Sequence, residues 1–306
     1  MNLFNQIITG LLPFVPKPIV QKVSARYIAG PTLLDAVNTV RSLNAKGAMA
    51  TVDVLGEFIT NREQAAENTR YSCEVIQTLY AEKLDGNLSI KLTSLGLALD
   101  HELCEQNVRK ILDTAKGSGG MFVRFDMENS PYTTQTIELY QKLRKEFTNV
   151  GVVLQAYLRR TENDVRRLLE DGLKNAVTTN VRLCKGIYRE DPEIAFQDRG
   201  EIQRNFLAVL DQLLQGGAYI GIATHDDVLI EGAETLLKKY DRALTSFEFQ
   251  MLLGVREEIR AKLIKEGFRL RVYVPFGADW YAYSIRRLKE NPSMAGYIVK
   301  GMFSMN

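Results

Sequence analysis

The sequence is poor in the residues that build metal centres and disulfides. Its 306 residues include three cysteines, Cys73, Cys104 and Cys184, and none lies in a CxxC pair. They predict neither a disulfide framework nor a zinc cluster, and the cytoplasm, as a reducing compartment, is the expected location. His101 and His225 are the only histidines, which is too few for a multi-histidine site, so no metal cofactor is expected.

An excess of one charge sign and long apolar runs are also missing. With 39 basic and 37 acidic residues the net charge is +2, so no nucleic-acid partner is expected. No stretch reaches the roughly 20 apolar residues of a membrane span. The apolar run 7–15 lacks the basic leader and cleavage site of a signal peptide. We interpret it as part of a helix packed on the domain, with peripheral contact of residues 1–23 at the inner face of the membrane as the alternative.

What the chain does contain is a regular alternation of β-rich runs with amphipathic segments. Eight strands are predicted, at 49–54, 88–92, 121–126, 151–157, 181–185, 219–224, 246–251 and 270–274, with helices between them at 63–83, 102–116, 133–147, 161–173, 202–214, 226–240 and 256–266. This count favours an α/β fold of the (β/α)8 type, with an open α/β sheet as the alternative. Residues 1–45 are predicted to be a helical segment packed on a barrel domain of residues 46–306.

Polar residues recur in or just after these predicted strands, where barrel active sites are built. They are Lys91, Arg124, Asp126, Glu128, Gln155, Tyr157, Arg182, Lys185, Thr224, His225, Asp226, Glu248, Gln250 and Tyr273. Any one of them is explained equally well by a buried ion pair that stabilises the barrel, but the whole set predicts a polar barrel mouth. No GxGxxG or GxxxxGK[ST] motif follows a strand, so neither a Rossmann site nor a P-loop is supported.

A second feature follows the last predicted strand. Tyr283, Arg286, Arg287 and Glu290 are linked by steps of three and four residues and share one face of a predicted helix. Arginine suits a carboxylate or a phosphate, although a solvated face with an Arg286–Glu290 ion pair is the simpler explanation of this helix taken alone. Schiff-base chemistry at Lys91 or Lys185 also stays open.

These same residues resemble the proline dehydrogenase family, including the catalytic domain of bifunctional proline utilization enzymes. The likeness covers most of the chain and is carried by ATVDVLGE (50–57), SIKLT (89–93), RFDME (124–128), VLQAY (153–157), VRLCKGIYRE (181–190), ATHD (223–226), FEFQ (247–250) and YSIRRLKE (283–290). The resemblance implies a distorted (β/α)8 TIM-type barrel that binds FAD noncovalently. It also implies oxidation of L-proline to Δ1-pyrroline-5-carboxylate, the first step of proline catabolism, by hydride transfer to flavin N5, with a membrane quinone as electron acceptor.

Residue roles follow from the resemblance position by position. Substrate binding is expected of Lys91, Asp126, Leu252, Tyr273, Tyr283, Arg286, Arg287 and Glu290. FAD binding is expected of Gln155, Arg182, Lys185, Gly186, Ile187, Tyr188, Arg199, Thr224, His225 and Glu248, although the match at Arg199 slips by one residue. Catalytic roles fall to Arg182, Lys91, Asp126 and Tyr273, with Arg182 donating to flavin N5.

Three other functions stay open at this point. A hydroxyproline dehydrogenase is the nearest, and the bulky Tyr273 argues for proline instead. A flavin-barrel reductase of the methylenetetrahydrofolate reductase kind is less favoured, because the Arg286–Arg287 helix suits a small amino acid. A non-catalytic barrel would be colourless when purified. The sequence gives no indication of the oligomeric state.

Overall fold

The computed structural model describes residue 20, residues 24–56, residues 59–281 and residue 284. Within this part of the chain, parallel strands form a closed barrel in which each strand pairs with the next and the last pairs with the first. The strands are β1 (Met49–Val54), β2 (Gly86–Ile90), β3 (Val123–Phe125), β4 (Val150–Gln155), β5 (Asn180–Cys184), β6 (Tyr219–Ala223), β7 (Phe247–Leu252) and β8 (Leu270–Phe276). The predicted barrel is confirmed, and the open sheet is wrong.

In the described ranges, a helix lies directly before β1 and a helix follows each of the first seven strands. They are α1 (Leu33–Asn44), α2 (Arg62–Ala81), α3 (His101–Gly117), α4 (Ser130–Leu143), α5 (Thr161–Asn175), α6 (Arg199–Gln215), α7 (Asp227–Lys239) and α8 (Glu257–Lys265). Short 3-10 helices occupy Thr93–Leu95 and Leu244–Ser246. No helix in the described ranges is both long and apolar enough to cross a bilayer.

Several predicted strands are too long at their C-terminal ends. Lys91, Tyr157 and Lys185 lie just after β2, β4 and β5 and not within them. The backbone still pairs there, since the amide of Tyr157 donates to the carbonyl of Lys185 at 2.7 Å, but the chain is already turning toward the next helix. The ends of the strands therefore present these side chains at the barrel mouth.

Helix α1 lies within the segment predicted to precede the barrel. Thr32 starts it with a capping box, in which its hydroxyl accepts from the amide of Asp35 and the Asp35 carboxylate accepts in return. The buried face of α1 contacts β1 and β8. The division of the chain at residue 45 stays a prediction.

The apolar core lies outside the barrel, between strands and helices. Side chains alternate along each strand, so Val52, Leu88 and Phe125 point to the helices and are fully buried. The other face of the strands points into the lumen and is polar. Gly151 of β4 has no side chain there, and a Cβ at this position would lie 2.3 Å from Nη1 of Arg124. The lumen thus has room for charged side chains.

Candidate active site

The N-terminal half of the lumen holds a set of polar side chains that we call the lower layer: Arg124, Asn180, Tyr219, Glu248 and Arg271. Glu248 is 2% exposed and accepts hydrogen bonds from Nε of Arg271 at 2.7 Å, from the hydroxyl of Tyr219 at 2.8 Å and from the amide of Gln250 at 2.6 Å. Burial raises its pKa, but Arg271 more than offsets this, and the pKa of Glu248 falls to about 2. This carboxylate is fully compensated.

Arg124 is the second guanidinium of the lower layer. It donates from Nη2 to the side chain of Asn180 at 2.7 Å and from Nη1 to two backbone carbonyls. Burial and the nearby charge of Arg182 lower the pKa of Arg124 to about 9. Its hydrogen bonds within the described residues go to backbone and amide oxygens, and the negative charge of Glu248 partly opposes the lowering of its pKa.

The C-terminal half of the lumen holds a second set, the upper layer: Asp53, Lys91, Asp126, Arg182 and Tyr273. Arg182, 6% exposed, extends across the lumen from β5. Its Nε donates to the side-chain oxygen of Gln250 and its Nη1 donates to Asp126 at 2.9 Å and to Ser89 at 3.2 Å. These contacts to β7, β3 and β2 fix the guanidinium in one orientation.

Asp126 joins Arg182 to Tyr273. The hydroxyl of Tyr273 donates to Oδ2 of Asp126 at 2.7 Å, while the guanidinium of Arg182 lies 5.3 Å from the centre of the Tyr273 ring. Two contacts therefore fix Tyr273: its hydroxyl donates to a carboxylate, and its ring makes a cation–π contact with Arg182.

Lys91 and Asp53 form the remaining pair of the upper layer. Nζ of Lys91 lies 2.7 Å from Oδ1 of Asp53 and 3.9 Å from Oδ2 of Asp126. Burial raises the pKa of Asp53, and the charge of Lys91 opposes that shift. The other oxygen of Asp53 is buried, and no donor in the described part of the chain lies in hydrogen-bonding geometry to it.

A cluster of hydrogen-bond donors lies at the rim of the barrel mouth, beyond the C-terminal ends of β5 and β6. Lys185, Arg199 and Gln203 all donate to Oδ2 of Asp226, at 3.2, 3.1 and 3.0 Å. Burial raises the pKa of Asp226, but the hydrogen bonds from Gln203 and Lys185 bring it below its usual value. The side chains of Lys185 and Arg199 are 41% and 75% exposed, so this cluster presents two cations to solvent with one buried carboxylate beneath them.

The ring of Tyr157, which follows β4, constrains the loop after β5. Gly186 has a φ of +106°, and a Cβ there would lie 2.0 Å from the ring of Tyr157. No other residue type fits this position without moving the ring or the loop. Burial raises the pKa of the Tyr157 hydroxyl.

Two further contacts join the rim to the strand ends. Nε2 of His225 accepts from the backbone amide of Leu252 at 2.8 Å, which fixes the loop after β6 to the end of β7. The side-chain amide of Gln155 donates to the backbone carbonyl of Glu128 at 2.9 Å, which ties the end of β4 to the loop after β3.

Comparison with known proteins identifies this architecture. The family model described as "Proline dehydrogenase" matches residues 36–299. Proline dehydrogenase 2 of Bacillus subtilis strain 168 is 38% identical over 279 residues, which is 91% of this chain and 90% of the relative. The proline dehydrogenase of Deinococcus radiodurans is 36% identical over 282 residues, covering 90% of this chain and 89% of that one. The chain belongs to the proline dehydrogenase family.

A solved structure agrees with this assignment. The proline utilization A protein (PutA) of Bdellovibrio bacteriovorus, crystallised after inactivation by N-propargylglycine, superimposes with a TM-score of 0.81 at 25% identity. The match covers 88% of this chain and 32% of the PutA chain. The proline dehydrogenase family fold therefore corresponds to about a third of that longer protein.

The residues expected from the family resemblance fall into separate groups. Lys91, Asp126, Arg182 and Tyr273 come together in the upper layer, and Lys185 and Arg199 meet on the rim over Asp226. Glu248 is instead in the lower layer, connected to Arg182 only through Gln250. The expected roles of Tyr283, Arg286, Arg287 and Glu290 concern residues outside the described part of the chain.

The remaining expected residues lie along the same rim. Gly186, Ile187 and Tyr188 form the loop after β5, where Ile187 is 45% exposed. The hydroxyl of Thr224 accepts from the backbone amide of Asp226 at 3.1 Å, which shapes the turn into α7. Which of these residues bind a ligand stays a prediction.

Three contributors to this arrangement were given no individual role from the sequence. Asp53 was not singled out, although it is a carboxylate within a buried strand. Asp226, in the turn between β6 and α7, was noted only as a polar residue after a strand. Gln250 was noted only as a polar strand residue. Its contact with Glu248 lies within β7, but its contact with Arg182 joins positions far apart in the chain and leaves no trace in local sequence.

Proposed function

We propose that this protein oxidises L-proline to Δ1-pyrroline-5-carboxylate with FAD as its cofactor. The observation that carries the proposal is the upper layer. It holds Arg182 rigidly in the lumen, with Lys91 and Asp126 beside it, at the C-terminal end of a family barrel. This is the end at which barrel enzymes place their reacting groups.

The chemistry of the rim suits a flavin dinucleotide. Lys185 and Arg199 would hold the pyrophosphate, because two partly exposed cations over one carboxylate leave a net positive charge there. The glycine at 186 allows the loop backbone to pack closely against the ring of Tyr157. The full expected set is Gln155, Arg182, Lys185, Gly186, Ile187, Tyr188, Arg199, Thr224, His225 and Glu248.

Bound FAD would supply the acceptor for the hydride that leaves C5 of proline, at flavin N5. The chain itself contributes Arg182, whose fixed guanidinium holds positive charge where negative charge develops during the reaction. Hydrogen bonds to the side chains of Gln250, Ser89, Asp126 and Thr51 keep it in place. Little energy is then needed to reorganise the site at the moment of transfer.

The substrate would be recognised as an amino acid carboxylate beside a small ring. Lys91 supplies a cation in the upper layer, and Arg286 and Arg287 would add bidentate donors. The pocket would be completed by Asp126, Leu252, Tyr273, Tyr283 and Glu290. Holding the carboxylate orients the ring and makes the hydride transfer effectively unimolecular.

The electron acceptor proposed for the second half of the reaction is a membrane quinone. The support for it is the family resemblance of the sequence. We expect reduced protein to be reoxidised faster by a soluble quinone analogue than by dissolved oxygen, in a stopped-flow experiment. Equal rates would argue against a quinone as the physiological partner.

The test of the proposed function is the visible spectrum of the purified protein before and after anaerobic addition of L-proline, with hydroxyproline in a parallel sample. Flavin bands that bleach with proline are the expected result. Faster bleaching with hydroxyproline would move the substrate to the hydroxylated ring, and a flavin that neither compound reduces would contradict both. A protein that stays colourless after addition of FAD would rule out the flavin.

A further inference from the structure

The upper layer contains two carboxylates and two cations, and their pairing is uneven. Asp126 is shared between Arg182 at 2.9 Å and the hydroxyl of Tyr273 at 2.7 Å, with Ser89 as a third donor. Lys91 is close to both carboxylates, at 2.7 Å from Asp53 and 3.9 Å from Asp126. Asp53 is thus the group that keeps Lys91 from approaching Asp126.

Asp53 is too deeply buried to contact a ligand itself. It is 1% exposed, and no donor among the described residues lies in hydrogen-bonding geometry to its second oxygen. The side chain of Lys91 is 10% exposed and that of Asp126 13%, so both lie nearer the open mouth. The shortest contact that leads from Asp53 toward the mouth is therefore its ion pair with Lys91.

The Asp53–Lys91 ion pair is also an inefficient way to stabilise a barrel, because burying two charged groups costs desolvation free energy. A buried ion pair is worth keeping for stability only when further hydrogen bonds satisfy both partners. Among the described residues, Asp53 accepts a hydrogen bond from Lys91 at 2.7 Å, Tyr273 makes a smaller hydrogen-bond contribution, and the negative charge of Asp126 lies nearby. Glu248 of the lower layer shows the alternative, since Arg271, Tyr219 and Gln250 all donate to it.

We propose that Asp53 is a positioning residue that fixes the ammonium group of Lys91 for a substrate carboxylate and reserves Asp126 for Arg182. This inference rests on the proposed function of the site. Without the Asp53 carboxylate, the nearest anion for Lys91 is Asp126, and movement toward it would both withdraw Lys91 from the substrate and compete with Arg182.

The test is a double-mutant cycle between Asp53→Asn and Lys91→Met, in the full chain with bound flavin. Each variant is assayed for kcat and KM with L-proline. Binding of cyclopentanecarboxylate, a ring acid without an amine to oxidise, is measured from the change in the flavin spectrum. Pyrrolidine, which has the amine but no carboxylate, is the matched ligand for comparison.

D53N should raise the KM for proline and the Kd for cyclopentanecarboxylate about tenfold, the effect of a lost charged hydrogen bond. The affinity for pyrrolidine should change much less. In the K91M background, D53N should produce no further rise, because the residue through which Asp53 acts is gone. The variant Asp53→Glu, which keeps the carboxylate at a different distance, should recover part of the affinity lost in D53N.

A purely structural role predicts the opposite pattern. D53N would then weaken all ligands alike, and its effect would add to that of K91M. If D53N does not fold, the comparison of D53N/K91M with K91M still decides, because the double variant removes both buried charges together. Equal ligand affinities in those two support the proposal, and a further loss in the double variant overturns it.

The inference and the proposed function fail in different ways. A wild-type protein that is not reduced by proline and does not bind cyclopentanecarboxylate contradicts the function. A wild-type protein that does both, with normal KM and Kd in D53N, overturns the role of Asp53 alone.

Discussion

The two layers of the lumen treat buried carboxylates in opposite ways. Glu248 in the lower layer and Asp53 in the upper layer are 2% and 1% exposed, so burial penalises both. Yet the pKa of Glu248 falls to about 2, whereas the pKa of Asp53 is raised, mainly by burial. The difference comes from the partners and not from depth.

The carboxylate of the lower layer is fully compensated in the folded chain, because Glu248 is bonded to Arg271 through both oxygens and also to Tyr219 and Gln250. In the upper layer Asp53 is only partly compensated, since no donor among the described residues bonds its second oxygen. A site that binds a charged substrate must keep some of its charge unneutralised until the substrate arrives. The comparison therefore separates a carboxylate whose charge is neutralised within the fold, Glu248, from one that fits the proposed binding site, Asp53.

The largest expected effect concerns stability. Glu248→Gln leaves Arg271 buried without a counter-charge and should lower the free energy of unfolding by about 3–5 kcal/mol. Urea unfolding followed by circular dichroism measures it. The matched variant Asp53→Asn should cost less, because Lys91 has a second carboxylate, Asp126, at 3.9 Å. Equal losses in the two variants would remove the distinction between the layers.

The pH dependence of the unfolding free energy should also distinguish Glu248 from Asp53. A carboxyl whose folded pKa is lowered contributes stability that is present above its ordinary value of 4.5 and is lost as the pH falls toward about 2. For Glu248 this amounts to roughly 3 kcal/mol. The raised pKa of Asp53 has the opposite sign, since its protonation as the pH falls favours the folded state.

Measured from about pH 6 to about pH 3, the difference in unfolding free energy between wild type and E248Q should therefore shrink as the pH falls. A difference that stays constant over this range would mean that Glu248 does not carry a lowered pKa in the folded protein.

Substitution of Arg182 in the upper layer and of Arg124 in the lower layer compares the role of an arginine side chain in the two layers. Arg182→Met should reduce kcat/KM for proline by about 100-fold, because a fixed positive charge at the reacting centre is lost. Arg182→Lys keeps the charge without the fork and should be intermediate. The lower-layer control, Arg124→Met, should change the unfolding free energy more than kcat/KM. The assay is normalised to bound flavin, and an R182M protein with near-normal kcat/KM would contradict the assignment.

The barrel itself was predictable from the sequence because hydrophobic alternation is local. Eight short apolar runs separated by amphipathic segments are visible without knowing any long-range contact, and only the ends of the strands were wrong. Lys91 and Lys185, for example, lie just beyond their strands. The polar strand residues likewise predicted a charged lumen.

The height of a side chain within the lumen was not predictable. Alternation tells which face Glu248 and Asp126 occupy, but strand register decides that Glu248 meets Arg271 low in the lumen while Asp126 meets Arg182 near the mouth. The Asp53–Lys91 pair joins positions 38 residues apart, and only the pairing of β1 with β2 brings them together. The arginine pair Arg286 and Arg287 stays a prediction.

The smallest effect separates two roles of Tyr273, its hydrogen bond and its bulk. Tyr273→Phe removes the 2.7 Å bond to Asp126 and should lower kcat/KM for proline about three- to tenfold, the usual range for one hydrogen bond. Because phenylalanine keeps the ring under Arg182, the preference for proline over hydroxyproline should survive, whereas Tyr273→Ala should reduce it. Steady-state kinetics with both substrates gives the two ratios. If Y273F alters the preference as much as Y273A, the hydroxyl and not the bulk selects the substrate, and the upper layer acts through its hydrogen bonds alone.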